Sequence, residues 1–160
     1  MAGIATLVTT LVVGVVAGLV MRRRDGRMRA VENVPATGGD RGAGPAAQWA
    51  ADLGADLGER ATLVQFSTAF CQPCRATRRI LGEVAGLVPG VRHVEIDAES
   101  RLDLVRRFEV LRTPTVLVLD GAGNVVKRAS GQPRKADVIA ALGAAVDGTS
   151  QNPSHPSDKV

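Results

Sequence analysis

Two cysteines three residues apart, in Phe70-Cys71-Gln72-Pro73-Cys74, stand where an apolar run hands over to a stretch with helical spacing. They are the only cysteines in the chain. Ala61-Thr62-Leu63-Val64-Gln65-Phe66-Ser67 reads as a buried strand. Residues 75–88 read as a helix with Ile80, Leu81, Val84, Leu87 and Val88 as its buried stripe. This placement predicts Cys71 at a helix N-terminus, where unsatisfied N–H groups and the helix dipole favour a thiolate. Cys74 falls one turn further in, on the same face. The pair is expected to close a small, exchangeable disulfide.

The rest of the chain supplies the frame for that junction. Residues 46–58 have helical spacing, with Trp49, Leu53 and Leu57 recurring every four positions. Trp49, the only tryptophan, is expected to anchor this helix on the core. Val91–Asp97 alternates, His93, Glu95 and Asp97 facing one way and Val94 and Ile96 the other. Pro89-Gly90 ends the preceding helix, and residues 99–108 read as a short one. Residues 115–119 form a continuous apolar run, the mark of a strand covered on both faces. The turn Asp120-Gly121-Ala122-Gly123-Asn124 leads into a second strand over 125–129. A last helix covers 134–146, with Val138, Ile139 and Leu142 inward. Strands alternating with helices, then a hairpin, predict an α/β domain: a central mixed β-sheet flanked by helices.

Residues 1–21 carry no charged side chain and are dominated by Val, Leu, Ala, Ile and Gly. As a helix they would be about 31 Å long, which matches the hydrocarbon core of a bilayer. Arg22-Arg23-Arg24 follows at once, with Arg27 and Arg29 close behind. A cleavable secretory signal has the opposite polarity, so a retained single-pass transmembrane anchor is expected, with a signal peptide as the alternative. The arginine flank predicts a cytoplasmic face for the remainder of the chain, the extracytoplasmic side being the alternative. The expected organisation is an anchor over 1–21, a basic, flexible juxtamembrane linker over 22–45, a domain over 46–147 and a disordered polar tail over 148–160.

Charge excludes one class of partner. The five arginines of residues 22–29, less Asp25, already supply the whole net charge of +4. The rest balances to zero and leaves no basic face for a phosphate backbone, so no nucleic-acid partner is expected. Zinc takes about four ligands, and one Cys-x-x-Cys supplies two. His93 and His155 are the only histidines, and His155 lies in the tail, so no metal is expected.

With these elements in order, the chain resembles the thioredoxin family over roughly residues 45–146. The motifs that carry the likeness are Phe70-Cys71-Gln72-Pro73-Cys74-Arg75 after a first strand and Glu95-Ile96-Asp97 closing the next. Thr113-Pro114-Thr115 opening the hairpin and Ser130-Gly131 after it complete the set. The resemblance implies a thioredoxin fold and a thiol–disulfide oxidoreductase. Cys71 would be the attacking thiol, and Cys74 the resolving one. It implies a cis peptide bond at Pro114, a Thr113 backbone that pairs with an extended substrate segment, and Gly131 as the residue that keeps the groove open. Pro73, which lacks an N–H, suits a first helical turn. Gln72-Pro73 sets the reduction potential, and Arg75 adds positive charge near both sulfurs.

Two positions depart from the family's pattern. Phe70 stands where tryptophan is usual, which keeps an apolar lip and loses an indole donor. Gln65 stands where the family carries a buried acid that helps deprotonate the resolving thiol, and glutamine does not titrate. His93 falls where the family often has a lysine. It is either a replacement proton acceptor for Cys74 or a partly exposed strand histidine with no role.

Three functional readings stay open. One is a membrane-tethered reductase of protein disulfides. The second is an extracytoplasmic exchange protein acting on exported or cytochrome-type substrates. The third is a non-catalytic binding module on the same fold. No Gly-x-Gly-x-x-Gly fingerprint is present, so no bound cofactor is expected and electrons must come from an upstream protein reductase. Oligomerisation is not expected to be required.

Overall fold

The computed structural model describes residues 2–31, 45–54 and 56–150. Its elements in chain order are α1 (Ala2–Arg24), β1 (Arg29–Ala30), α2 (Pro45–Leu53), β2 (Ala61–Ser67) and α3 (Gln72–Leu87). They continue with β3 (Val91–Asp97), α4 (Leu102–Arg107), β4 (Thr115–Asp120), β5 (Val125–Ser130) and α5 (Lys135–Ser150). The strands form one mixed sheet in the order β1-β5-β4-β2-β3. β2 is central. It runs parallel to β3, with Gln65 opposite Glu95 and Ser67 opposite Asp97, and antiparallel to β4. All seven β2 residues are buried, which explains why its sequence is a run rather than an alternation.

Two apolar layers cover the sheet. On one face Leu63, Val116 and Val118 pack with Leu81 and Val84 of α3 and with Val138, Ala141 and Leu142 of α5. On the other, Val64, Phe66, Ile96, Leu117 and Leu119 pack with Trp49, Leu104 and Phe108. The rings of Trp49 and Phe108 stack at 4.5 Å. Three of the chain's four aromatics sit in this second layer, and Val, Leu and Ala side chains fill the first.

Several expectations are corrected in detail. Leu87 and Ile139 are exposed, not inward. The buried stripe of α3 runs Cys74, Thr77, Leu81, Val84. Its next position is Val88, and Leu87 is rotated off it by about 100°. Ile139 is likewise one residue off the stripe of Val138 and Leu142. α2 stops at Leu53 because Gly54 turns the chain at φ +61°, yet Leu57 beyond it still packs on the second layer.

The larger correction concerns the segment after α1. The part of the expected linker over residues 25–31 is docked on the sheet. Arg29 and Ala30 pair antiparallel with Arg128 and Lys127 of β5, so β1 covers an edge that would otherwise be open. Met28 packs against the first apolar layer. Residues 22–24 of the expected linker extend α1, Pro45 opens α2, and α5 runs on through Ser150 into the expected tail, while residues 32–44 and the tail from 151 with His155 lie outside the described residues.

Candidate active site

The site begins with the end of β2. The chain leaves the sheet at Thr68 and enters α3 through Cys71, whose φ of −90° and ψ of 102° are those of a helix N-cap. Its Sγ accepts the N–H of Cys74 at 3.1 Å, the role an oxygen plays in an ordinary cap. Pro73 occupies the first turn, where no N–H is required. The two sulfurs are bonded to each other, with the Cα atoms 5.2 Å apart. Cys71 is partly exposed and Cys74 is buried at 1% exposure. The asymmetry matters chemically: one sulfur is open to approach and the other is screened from solvent. Phe70, 97% exposed, forms an apolar lip beside them, with Gln72 and Arg75 also on the surface.

Gln65 lies directly beneath. It is fully buried on β2, and its Nε2 donates to the Cys74 carbonyl at 2.9 Å. Its Oε1 is buried with no partner.

A second wall comes from the loop before β4. The Thr113–Pro114 peptide bond is cis. The Thr113 and Thr68 hydroxyls lie 3.4 Å apart, which places this loop beside the cysteine turn. Gly131, at φ +94°, donates its N–H to the Pro114 carbonyl at 2.7 Å. The structure therefore brings Thr113, Pro114 and Gly131 to the same rim. Gly131 also faces the segment after α1: a Cβ there would lie 3.2 Å from the Gly26 nitrogen.

On the β3 side of Cys74 is an open cleft lined by Ser67, Arg75, Arg78, Glu95 and Asp97. Glu95 accepts hydrogen bonds from the Ser67 hydroxyl and, at 2.6 Å, from Arg78. Partial burial pushes its carboxyl up, but the bonds from Arg78 and Ser67 and the charges of Arg78 and His93 outweigh this, leaving it below the ordinary range. His93 is two residues away on the same face of β3 and does not line the cleft. Its Nε2 is buried with no partner. Burial lowers its pKa, Glu95 opposes that shift and Arg78 reinforces it. Glu95 and Ser67 are the neighbours that sequence reasoning passed over. The alternation of β3 already put Glu95 on the His93 face, and the parallel register sets it opposite Gln65. Among the described residues no group of three or more Cys, His, Asp or Glu is placed to hold a metal ion.

A partly exposed cysteine capping a helix, a buried partner beneath it and a cis-proline loop alongside, all on a mixed sheet, define a thioredoxin-fold dithiol site. The chain belongs to the thioredoxin family, whose model matches residues 46–144. A thioredoxin of Staphylococcus saprophyticus is 31% identical over 80 residues, covering 48% of this chain and 77% of that protein. The rice thioredoxin H5 is 25% identical over 72 residues, covering 45% of this chain and 53% of the relative. The chain thus spans about half the length of the rice protein. Among solved structures, a mutant thioredoxin from Halobacterium salinarum NRC-1 superposes with a TM-score of 0.51 at 17% identity, covering 55% of this chain and 76% of that one. At that identity the likeness speaks to the fold alone.

Proposed function

We propose that the chain is a membrane-tethered thiol–disulfide oxidoreductase that reduces protein disulfides through the Cys71/Cys74 couple. One observation carries this reading: Cys71 Sγ caps α3 by accepting the Cys74 N–H. A sulfur in that position gains a hydrogen bond and the positive end of the helix dipole when ionised. The Cys71 thiolate attacks a substrate disulfide, the substrate's S–S bond breaks, and one substrate sulfur leaves as a thiolate. A mixed disulfide to Cys71 remains. Cys74 then attacks Cys71 Sγ, releasing the second substrate thiol and forming the intramolecular disulfide. Two electrons from a partner protein's dithiol restore the reduced pair. The cis-Pro114 loop offers the Thr113 backbone to an extended substrate segment, and Phe70 supplies an apolar contact.

The anchor is α1. Gly3–Met21 has a mean hydropathy of 2.4 over 19 residues with none of it buried, long and apolar enough to cross a bilayer. The arginines that follow favour a cytoplasmic face for the domain. Cys74→Ser is the decisive variant. It is expected to accumulate proteins covalently held on Cys71, while Cys71→Ser holds none and loses disulfide reduction altogether. Full activity in a variant lacking both sulfurs would instead identify a binding module. An impermeant thiol reagent on intact cells tests the orientation: rapid labelling of reduced Cys71 would move the domain to the outside.

A further inference from the structure

We propose that this protein acts on disulfides of membrane-bound proteins lying close to the bilayer surface, because the chain fastens its anchor directly to the rim of its own substrate groove. This names the substrate class of the site above. It rests on α1 being an anchor and Cys71 the attacking thiol.

Two residues join the end of α1 to the groove. The Asp25 N–H still bonds the Met21 carbonyl at 3.1 Å, so the helical path persists to Asp25. Gly26 then turns the chain at φ +74° and donates its N–H to the Ser130 carbonyl at 2.9 Å. A Cβ on Gly26 would lie 1.9 Å from the Gln132 carbonyl oxygen, so only glycine permits this approach. Arg112 adds a tie, its Nη2 reaching Asp25 at 2.7 Å and the Ser130 carbonyl at 2.9 Å. Beyond this point β1 pairs with β5. Residues 130–132 therefore hold the anchor arm on one side. On the other, Gly131 holds the cis-Pro114 loop. Thr113 of that loop meets Thr68, whose carbonyl accepts the Cys71 N–H at 3.4 Å.

The contact path from anchor to cysteine is thus Gly26, Ser130-Gly131, Pro114-Thr113, Thr68, Cys71. At about 5 Å per step between neighbouring backbones and about 3.5 Å per arm residue, this path keeps Cys71 within roughly 30 Å of the end of α1. A flexible tether of about 20 residues would wander by about 25 Å beyond its origin in any direction. Here the reach is fixed. A disulfide held near the same surface meets Cys71 at high effective concentration, and one held far above it does not.

The test uses the full chain with Cys74→Ser in liposomes. Two membrane-anchored peptides carry the same disulfide, one at the lipid surface and one on a rigid helical spacer of about 40 residues, about 60 Å out. Capture is the bond between Cys71 and one peptide sulfur, with the other leaving as a thiol. The native arm is expected to capture the surface disulfide at least tenfold faster than the distant one. Inserting 20 Gly/Ser residues between Arg24 and Asp25, which leaves the docked arm intact, is expected to cut that ratio at least threefold. Equal capture by the native arm, or an unchanged ratio after insertion, overturns the proposal while leaving the exchange chemistry standing. No capture at either position removes the exchange reading and the proposal with it. Release of the protein from the bilayer by alkaline carbonate removes the anchor, and the proposal with it.

Discussion

Gln65 Nε2 donates to the Cys74 carbonyl at 2.9 Å from a fully buried position. The residue beneath the second sulfur therefore positions the first turn of α3 without exchanging a proton. Placing an acid there tests how dry the site is. In Gln65→Asp the carboxyl is desolvated and its folded-state pKa rises above the unfolded value of about 3.9. An acid raised in the folded state contributes nothing unfavourable below its unfolded pKa and destabilises as pH rises above it. Stability of the variant should fall by about 1.4 kcal/mol for each unit of upward shift, relative to native. Urea unfolding at pH 5, 7 and 8.5 measures this. A pH-independent difference would mean that water reaches the site.

The fold's second layer depends on one stack. Trp49 is 4% exposed, its ring lies 4.5 Å from that of Phe108, and Arg107 sits 5.2 Å over Phe108 while pairing with Asp52 at 2.6 Å. Trp49→Ala should cost about 3–5 kcal/mol, a large share of a stability of about 5–15 kcal/mol. Trp49→Phe, which keeps a ring against Phe108, should cost about 1–2 kcal/mol. Circular dichroism follows unfolding in both, since the only tryptophan is gone. Equal losses would show that a phenyl ring at this position recovers nothing and that the indole itself is required.

His93 titrates in a direction that can be read from stability. Burial lowers its pKa, and Arg78 lowers it further against the pull of Glu95. A histidine depressed in the folded state favours folding while neutral. That contribution is complete above its unfolded pKa of about 6.5 and is lost as pH falls through the lower folded value. His93→Gln should flatten this part of the stability curve between pH 7 and 5. Glu95, also lowered, gives a second loss at more acid pH, below the ordinary glutamate range, which Glu95→Gln should remove. Disulfide reduction by His93→Gln across pH 6–8 separates roles: a profile like native leaves the proton of Cys74 to another acceptor.

What could be read from sequence followed the strength of local periodicity. β2 and the start of α3 were legible because a buried run, a Cys-x-x-Cys and a proline all point to one junction. The cis-proline rim followed from resemblance. β1 left no such trace: Arg29 and Ala30 are a charged and a small residue, both exposed, and what makes them a strand is the edge of β5. Glu95 was visible as one member of an alternating strand. Its bonds to Ser67 and Arg78 arise only when β2, α3 and β3 are assembled, 28 and 17 residues apart in sequence.

The docked arm after α1 should depend on its glycine far more than on its ion pair. Asp25 and Arg112 are each about half exposed, at 51% and 48% of their side chains, so their bridge is worth about 0–1 kcal/mol in water. Asp25→Asn should leave β1 in place. Gly26→Val puts a branched side chain where a Cβ is 1.9 Å from the Gln132 carbonyl, at a φ of +74° that β-branched residues avoid. Relief requires the arm to lift, which breaks the Gly26 bond to the Ser130 carbonyl and opens the β1–β5 ladder. Hydrogen exchange on the full chain should then quicken at least tenfold at the Gly26 and Val31 amides while β2 stays protected. Faster exchange in Asp25→Asn than in Gly26→Val would reverse the assignment and make the ion pair the fastening.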